Sequence, residues 1–214
     1  MTRAAPLAPP DPLADRMPTL CEVFAATATD GAATGFVLAQ LPAGAPVLWV
    51  QDRLSRREGG RPYAAGLAGL LGRPVEILWL EAGHPLDVLW AMEEALGCPA
   101  LGAVVGEVWG DPPRLDFTAT KRLALRSERG GVPAWLLRRA ARPDLSAARE
   151  RWRVAALPSP PAPDDLRAPG EALWQATLLR ARGRMPGDWV ARAERGRLVL
   201  SHSAARPESP RMAG

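Results

Sequence analysis

The chain is poor in the residues that build metal sites or covalent frameworks: 2 cysteines and 2 histidines in 214 residues. Without ligand spacing, two cysteines and two histidines make no zinc site, and no metal is expected. Cys21 lies in an apolar run and Cys98 follows a helix-ending glycine. With no signal peptide in view, both read as buried thiols in a reducing cytosol rather than as a disulfide. The first 18 residues contain no apolar h-region, so secretion is not expected. No apolar run approaches the roughly 20 residues of a membrane span. No Ser-His-Asp or Cys-His set is recognisable, so no catalytic residue is assigned.

What is present describes a globular chain, 47% hydrophobic and 23% charged. Its length allows one core of roughly 150 residues plus tails. The net charge of +4 conceals an asymmetry: residues 1–113 carry −6 and residues 114–214 carry +10. Almost all the cations are arginine, which suits bidentate contacts to phosphate or carboxylate. A basic second half favours an anionic partner, either nucleic acid or an acidic protein face.

The chain is organised around Leu20–Leu41, LCEVFAATATDGAATGFVLAQL. It reads as a strand over Leu20–Phe24, a small-residue loop over Ala25–Ala33 and a helix starting near Gly35. That is the layout of a P-loop, in which backbone N–H groups and a helix N-terminus hold phosphate. The pattern G-x-x-x-x-G-K-[ST] falls on Ala26 to Ala33. Ala26 replaces the first glycine and Gly31 keeps the second. Ala32 stands where the phosphate-binding lysine belongs, and Ala33 where the magnesium-binding hydroxyl belongs. Asp30 places negative charge where phosphate oxygens would sit. Gly31 is expected to turn the tight loop at positive φ.

Further strand-like runs are Val47–Val50, Val75–Leu80, Leu101–Val105, Val132–Leu137 and Arg151–Leu157. Helical patterns cover Tyr63–Leu71, Pro85–Leu96 and Asp116–Arg129, the last with Asp116 as N-cap and Gly130-Gly131 as stop. This alternation predicts an α/β fold with a mostly parallel sheet. Residues 1–17 read as a disordered arm, 18–157 as the core, 158–170 as a proline-rich linker, 171–202 as a C-terminal β extension and 203–214 as a disordered tail. Within the extension, Glu194-Arg195-Gly196 is a hairpin signal. The linker is expected to set the distance of the extension from the core.

LCEVFAATATDGAATGF, VLWVQDRLSRREGGRPY, DVLWAMEEALGCPALGAVVGEVWG, LDFTATKRLALRSERGGVPAWLLRRA and RWRVAALPSP together resemble the ImuA-type family. These are the RecA-like accessory proteins of the bacterial inducible-mutagenesis cassette. The resemblance runs from about Met17 to Leu200. QDR, GEVWG and LDFTATKRLAL are its more specific parts. It implies a RecA-like P-loop core and a role in damage-induced translesion DNA synthesis. The implied partners are a Y-family-like mutagenesis protein, the RecA recombinase and, indirectly, an error-prone replicative-type polymerase. Against active members of the wider RecA class, the catalytic glutamate falls at Arg53 and the Walker-B aspartate at Gly106, with Glu107 beside it. With Ala32 and Ala33, this implies a degenerate site with no cofactor and no ATPase activity. The DNA-contacting loops are cut short to Trp109–Arg114 and Arg142–Arg149.

Candidate binding residues fall in three groups. Gln51, Asp52, Arg53, Arg56 and Arg57 lie at a C-terminal strand end, where α/β folds place their sites. Arg122, Arg126 and Arg129 form one helical stripe. Trp174 and Trp189 are interleaved with Arg180, Arg182, Arg184, Arg192, Arg195 and Arg197, a basic-aromatic mix suited to protein or single-stranded DNA. At least one of those two tryptophans is expected to stay partly exposed. Trp49, Trp79 and Trp90 read as core. Glu107 reads either as a metal ligand or as a strand-end residue paired with an arginine. The leading reading is a non-catalytic, cytoplasmic contact protein, nucleoid-associated if it binds DNA weakly. The competing ones are a single-stranded-DNA-binding module and a RecA-like division inhibitor of the damage response.

Overall fold

Strand β1, Leu20–Ala25, is buried at all six positions. A strand covered on both faces has no reason to alternate in polarity, which explains its apolar run. A computed structural model describes residues 17–202. The predicted arm and tail therefore lie outside the described residues, apart from Met17.

The elements follow as α1 (Ala32–Leu38), β2 (Val47–Asp52), α2 (Arg53–Gly59), α3 (Ala64–Leu71), β3 (Ile77–Ala82), α4 (Pro85–Ala95), β4 (Ala103–Trp109), α5 (Phe117–Gly130), β5 (Ala134–Arg139), β6 (Glu150–Leu157), β7 (Leu173–Ala181), β8 (Gly187–Glu194) and β9 (Arg197–His202). Asp116 caps α5 by accepting from the Ala119 N–H at 2.8 Å. The arginine-rich stretch after β2 forms α2. Its cap explains why: the Asp52 carboxylate accepts from the Ser55 N–H at 2.6 Å.

Among the described residues, one nine-stranded sheet has the order β3-β2-β4-β5-β1-β6-β7-β8-β9. The first six strands in that order are parallel, and the last three pair antiparallel. The predicted α/β class and mostly parallel sheet are observed. Strand alternation divides the core in two. On one face Val23, Trp49, Leu137 and Trp152 pack with Phe36 and Val37 of α1. On the other Leu20, Val104 and Leu136 pack with Val88 and Met92 of α4 and Leu123 of α5.

The proline-rich segment is no spacer. Leu157 and Leu173 are register partners, so the chain leaves β6 and returns beside it. The segment closes on itself through Gly170 N–H donating to the Pro160 carbonyl at 2.7 Å and Ala162 N–H to Ala168 at 2.9 Å. The β extension therefore continues the core sheet instead of standing away from it. Trp174 is 4% exposed, and its ring lies against Gly35 of α1, where a Cβ would approach it to 2.6 Å. The hairpin signal holds: Arg195 and Gly196 both have positive φ, 49° and 75°, and they join β8 to β9 as a two-residue turn.

Candidate functional site

β1 ends where the Ala26 N–H donates to the Val154 carbonyl at 2.9 Å. The loop that follows is filled by the protein's own charged groups. Asp30 turns its carboxylate onto the start of α1: one oxygen accepts from the Ala32 N–H at 2.7 Å, the other from the Ala156 N–H at 2.9 Å. An anion at a helix start is favourable because the first N–H groups lack partners. Here the anion is built in. Gly31 has φ −76° and an open site at its missing Cβ. The expectation of a positive φ is therefore corrected, since Asp30 rather than a left-handed glycine shapes the turn.

The cation comes from β5. Arg139 is buried, and its guanidinium donates to the carbonyls of Ala28 and Asp30, both at 3.0 Å, and to the Thr34 hydroxyl at 2.8 Å. Its Nε donates to Glu107 of β4 in a buried ion pair. The other Glu107 oxygen accepts from Trp49 Nε1 at 3.0 Å and Gln51 Nε2 at 2.9 Å. Both Glu107 carboxylate oxygens are therefore engaged, as a buried charge requires. The reading of Glu107 as an arginine-paired residue is the one the geometry supports.

Gly106, placed at the Walker-B position, faces the opposite side of the sheet. A Cβ there would overlap the Met92 sulfur, so α4 packs where an aspartate side chain would need to sit. The loop-facing residue of β4 is Glu107. Arg53 is the first residue of α2 and is exposed.

A second charged network lies on the other face. Glu22 of β1 accepts from Arg151 at 2.7 Å and Arg138 at 3.4 Å. Arg138 also reaches Asp111 at 2.7 Å. Burial lowers the Arg138 pKa from its ordinary value, an effect opposed by Glu22 and Asp111.

Gln51 and Asp52 are 1% and 2% exposed, which corrects their place in a contact surface. Gln51 also donates to the Gly60 carbonyl at 2.8 Å. Besides capping α2, Asp52 accepts from the Trp109 N–H at 2.8 Å, tying the end of β2 to β4. Burial at this strand end is decided by the neighbouring strands, which the local pattern does not reveal. Arg53 and Arg57 are exposed and Arg56 half-buried; Arg56 faces Glu81 at 4.0 Å, and Arg57 faces Glu58 at 2.7 Å.

Arg122 and Arg126 both face Glu93 of α4, at 3.1 and 3.8 Å; Arg129 is exposed beyond them. Trp174 belongs to the core, which corrects its reading as a surface anchor. Trp189 is half-buried edge-on to Trp152, with ring centroids 5.6 Å apart, so one of the two tryptophans stays partly exposed as expected. Arg184 pairs with Glu150 and Arg192 with Glu194. Arg180, Arg182, Arg195 and Arg197 are exposed. The structure thus spreads the C-terminal arginines over β7, β8, β9 and the turns between them.

Sequence reasoning missed Arg138 and Arg139. Their signal was available: two arginines close the buried strand AWLLRR, and Glu22 and Glu107 interrupt LCEVFA and AVVGEVW. Charges inside apolar runs must find one another. Trp90 was misread as core and is 67% exposed. It shares the outer side of α4 with Leu86, while Leu78 and Leu80 are exposed on the edge strand β3. Cys21 is buried as expected, but Cys98 is exposed. Among the described residues, no His/Cys/Asp/Glu cluster could hold a metal, and no helix is long and apolar enough to cross a membrane.

No family model matches the chain. It is 35% identical over 161 residues to Protein ImuA from each of two strains of Caulobacter vibrioides, an alignment that covers 71% of this chain and 62% of each relative. The chain thus spans less than two thirds of the length of the curated relatives it matches. Sequence identity at this level over this length turns the motif resemblance into a measured relationship: the chain is an ImuA-type protein, of the family belonging to the inducible-mutagenesis cassette.

Proposed function

We propose that the chain is a non-catalytic accessory protein of damage-induced, error-prone translesion DNA synthesis with a RecA-like core. It works through contacts with a Y-family-like mutagenesis protein and the RecA recombinase, and serves an error-prone polymerase indirectly. One observation carries the non-catalytic part. Asp30 and Arg139 occupy the anion and cation places of the loop between β1 and α1, so an entering phosphate would meet the Asp30 carboxylate and have to draw Arg139 away from its ion pair with Glu107. The position of this loop, at the C-terminal end of a central parallel strand, supports the RecA-like reading. The exposed Trp90, Leu86, Leu78 and Leu80 support a life spent in protein contacts, since exposed apolar side chains of this size anchor interfaces. A single-stranded-DNA module is less favoured, because Arg122, Arg126, Arg184 and Arg192 are engaged by carboxylates.

The test is genetic and biochemical together. Deletion of the gene should reduce damage-induced mutation to the uninduced level, and the intact chain should restore it. Tagged protein should recover the Y-family-like partner after damage. Restored mutagenesis that depends on nucleotide hydrolysis by the purified chain would overturn the reading.

A further inference from the structure

Helix α5 has two flanks. Arg122 and Arg126 sit on the flank facing α4, where Glu93 engages them. On the other flank Phe117, Lys121 and Leu125 recur at four-residue spacing, which lines them up along the helix. Phe117 is 42% and Leu125 37% exposed, both high for large apolar side chains on a helix that is buried along its inner face. This flank forms one wall of a groove of about 210 Å³ whose other side is made by Ser146, Arg149 and Arg180. The floor is apolar and the rim cationic. Arg149 is held by Glu128 at 2.7 Å. Lys121, the sole lysine of the chain, and Arg180 have no carboxylate partner among the described residues.

We propose that this groove is a docking site for an acidic peptide segment of a partner protein. The segment would set one leucine- or phenylalanine-sized side chain between Phe117 and Leu125 and present a carboxylate to each of Lys121 and Arg180. Charge complementarity selects the occupant. Two unengaged cations flanking an apolar slot match a short segment with separated carboxylates. A nucleic-acid backbone carries a continuous row of phosphates, more than two unengaged cations can match, and would find only one exposed aromatic ring in the groove, Phe117, to stack on. Apolar side chains between charges also fit the pattern of a buried anchor within a polar rim. The inference rests on the proposed reading of the chain as a contact-making protein, and it assigns the chemistry of one partner segment.

The experiment uses the full-length chain and three fluorescein-labelled probes. They are a ten-residue peptide alternating aspartate with leucine, the same peptide with lysine for aspartate, and a ten-nucleotide oligothymidine. Fluorescence anisotropy should show saturable binding of the acidic peptide only. Lys121→Glu together with Arg180→Glu should weaken it by about tenfold or more, since rim charges are reversed rather than deleted. Leu125→Ser should also weaken it. Thermal melts close to wild type for these exposed positions would show that the fold is intact. Because Leu125→Ser also alters packing, Lys121→Gln serves as a second, milder variant and should weaken binding in the same direction. Acidic-peptide binding unaffected by the charge reversals overturns the proposal. So does oligothymidine binding that is lost on the same reversals, which would make the groove a nucleic-acid surface. Recovery of the Y-family-like partner by wild type and groove variants alike would sink the groove assignment while leaving the proposed function standing; failure of wild type to recover that partner would count against the function itself.

Discussion

Arg139 and Glu107 form an ion pair in which the side chains are 4% and 1% exposed. Removing one member of such a pair leaves a buried charge uncompensated and commonly costs about 3–5 kcal/mol. Arg139→Met and Glu107→Leu should each destabilise the protein by that order. The double variant should lose much less than the sum, because no unpaired charge remains. Urea denaturation of the four proteins gives the cycle directly. Strict additivity would mean that the two residues act separately.

Restoring the missing P-loop residues should not restore nucleotide binding. Ala32 and Ala33 are 4% and 0% exposed, so Ala32→Lys and Ala33→Thr introduce polar groups into packed surroundings while Asp30 and Arg139 still fill the loop. Calorimetric titration with Mg-ATP should show no binding tighter than about millimolar, for the wild type or the double variant. Micromolar affinity in the wild type would contradict the self-filled loop.

Two glycines should respond oppositely. Gly31 has negative φ and nothing within 4 Å of an added Cβ, so Gly31→Ala should change stability by less than about 0.5 kcal/mol. Gly106 lies under α4 against Met92, and Gly106→Asp would bury an unpaired carboxylate as well as overpack. That substitution should cost several kcal/mol by chemical denaturation, on the order expected for overpacking together with an uncompensated charge. A stable Gly106→Asp protein with new metal affinity would show that α4 yields.

Deleting residues from Pro169 onward removes Trp174, Ala176, Leu178 and Ala191 from the core that holds α1. The truncated chain should lose its cooperative melt in circular dichroism. Trp174→Ala alone should cost about 3–5 kcal/mol, the usual range for deleting a buried aromatic ring. A native-like truncation would restore the idea of a separate extension.

Trp90→Ala should leave the melting temperature nearly unchanged, within about 0.5 kcal/mol in stability, as expected for an exposed side chain. A large loss would mean that the outer side of α4 packs against something in the folded chain.

Local chemistry was enough to find most strands and helices, because each signal is carried within a few residues. The apolar runs of β1, β4 and β5, the Asp116 cap and the Arg195-Gly196 turn all work at that range. It was also enough to see that Ala32 and Ala33 lack the groups phosphate chemistry needs. The remainder depended on contacts between residues far apart in the chain. Arg139 reaches Ala28 and Asp30 only because β5 lies beside β1. Glu107 meets Trp49 and Gln51 only because β4 lies beside β2. Gln51 and Asp52 are polar in sequence yet buried, because satisfied hydrogen bonds remove the penalty that keeps such residues at the surface. The order of strands also decided that the C-terminal segment closes the core: Leu173 returns to Leu157 through the proline-rich loop, and Trp174 then fills the space that Gly35 leaves open.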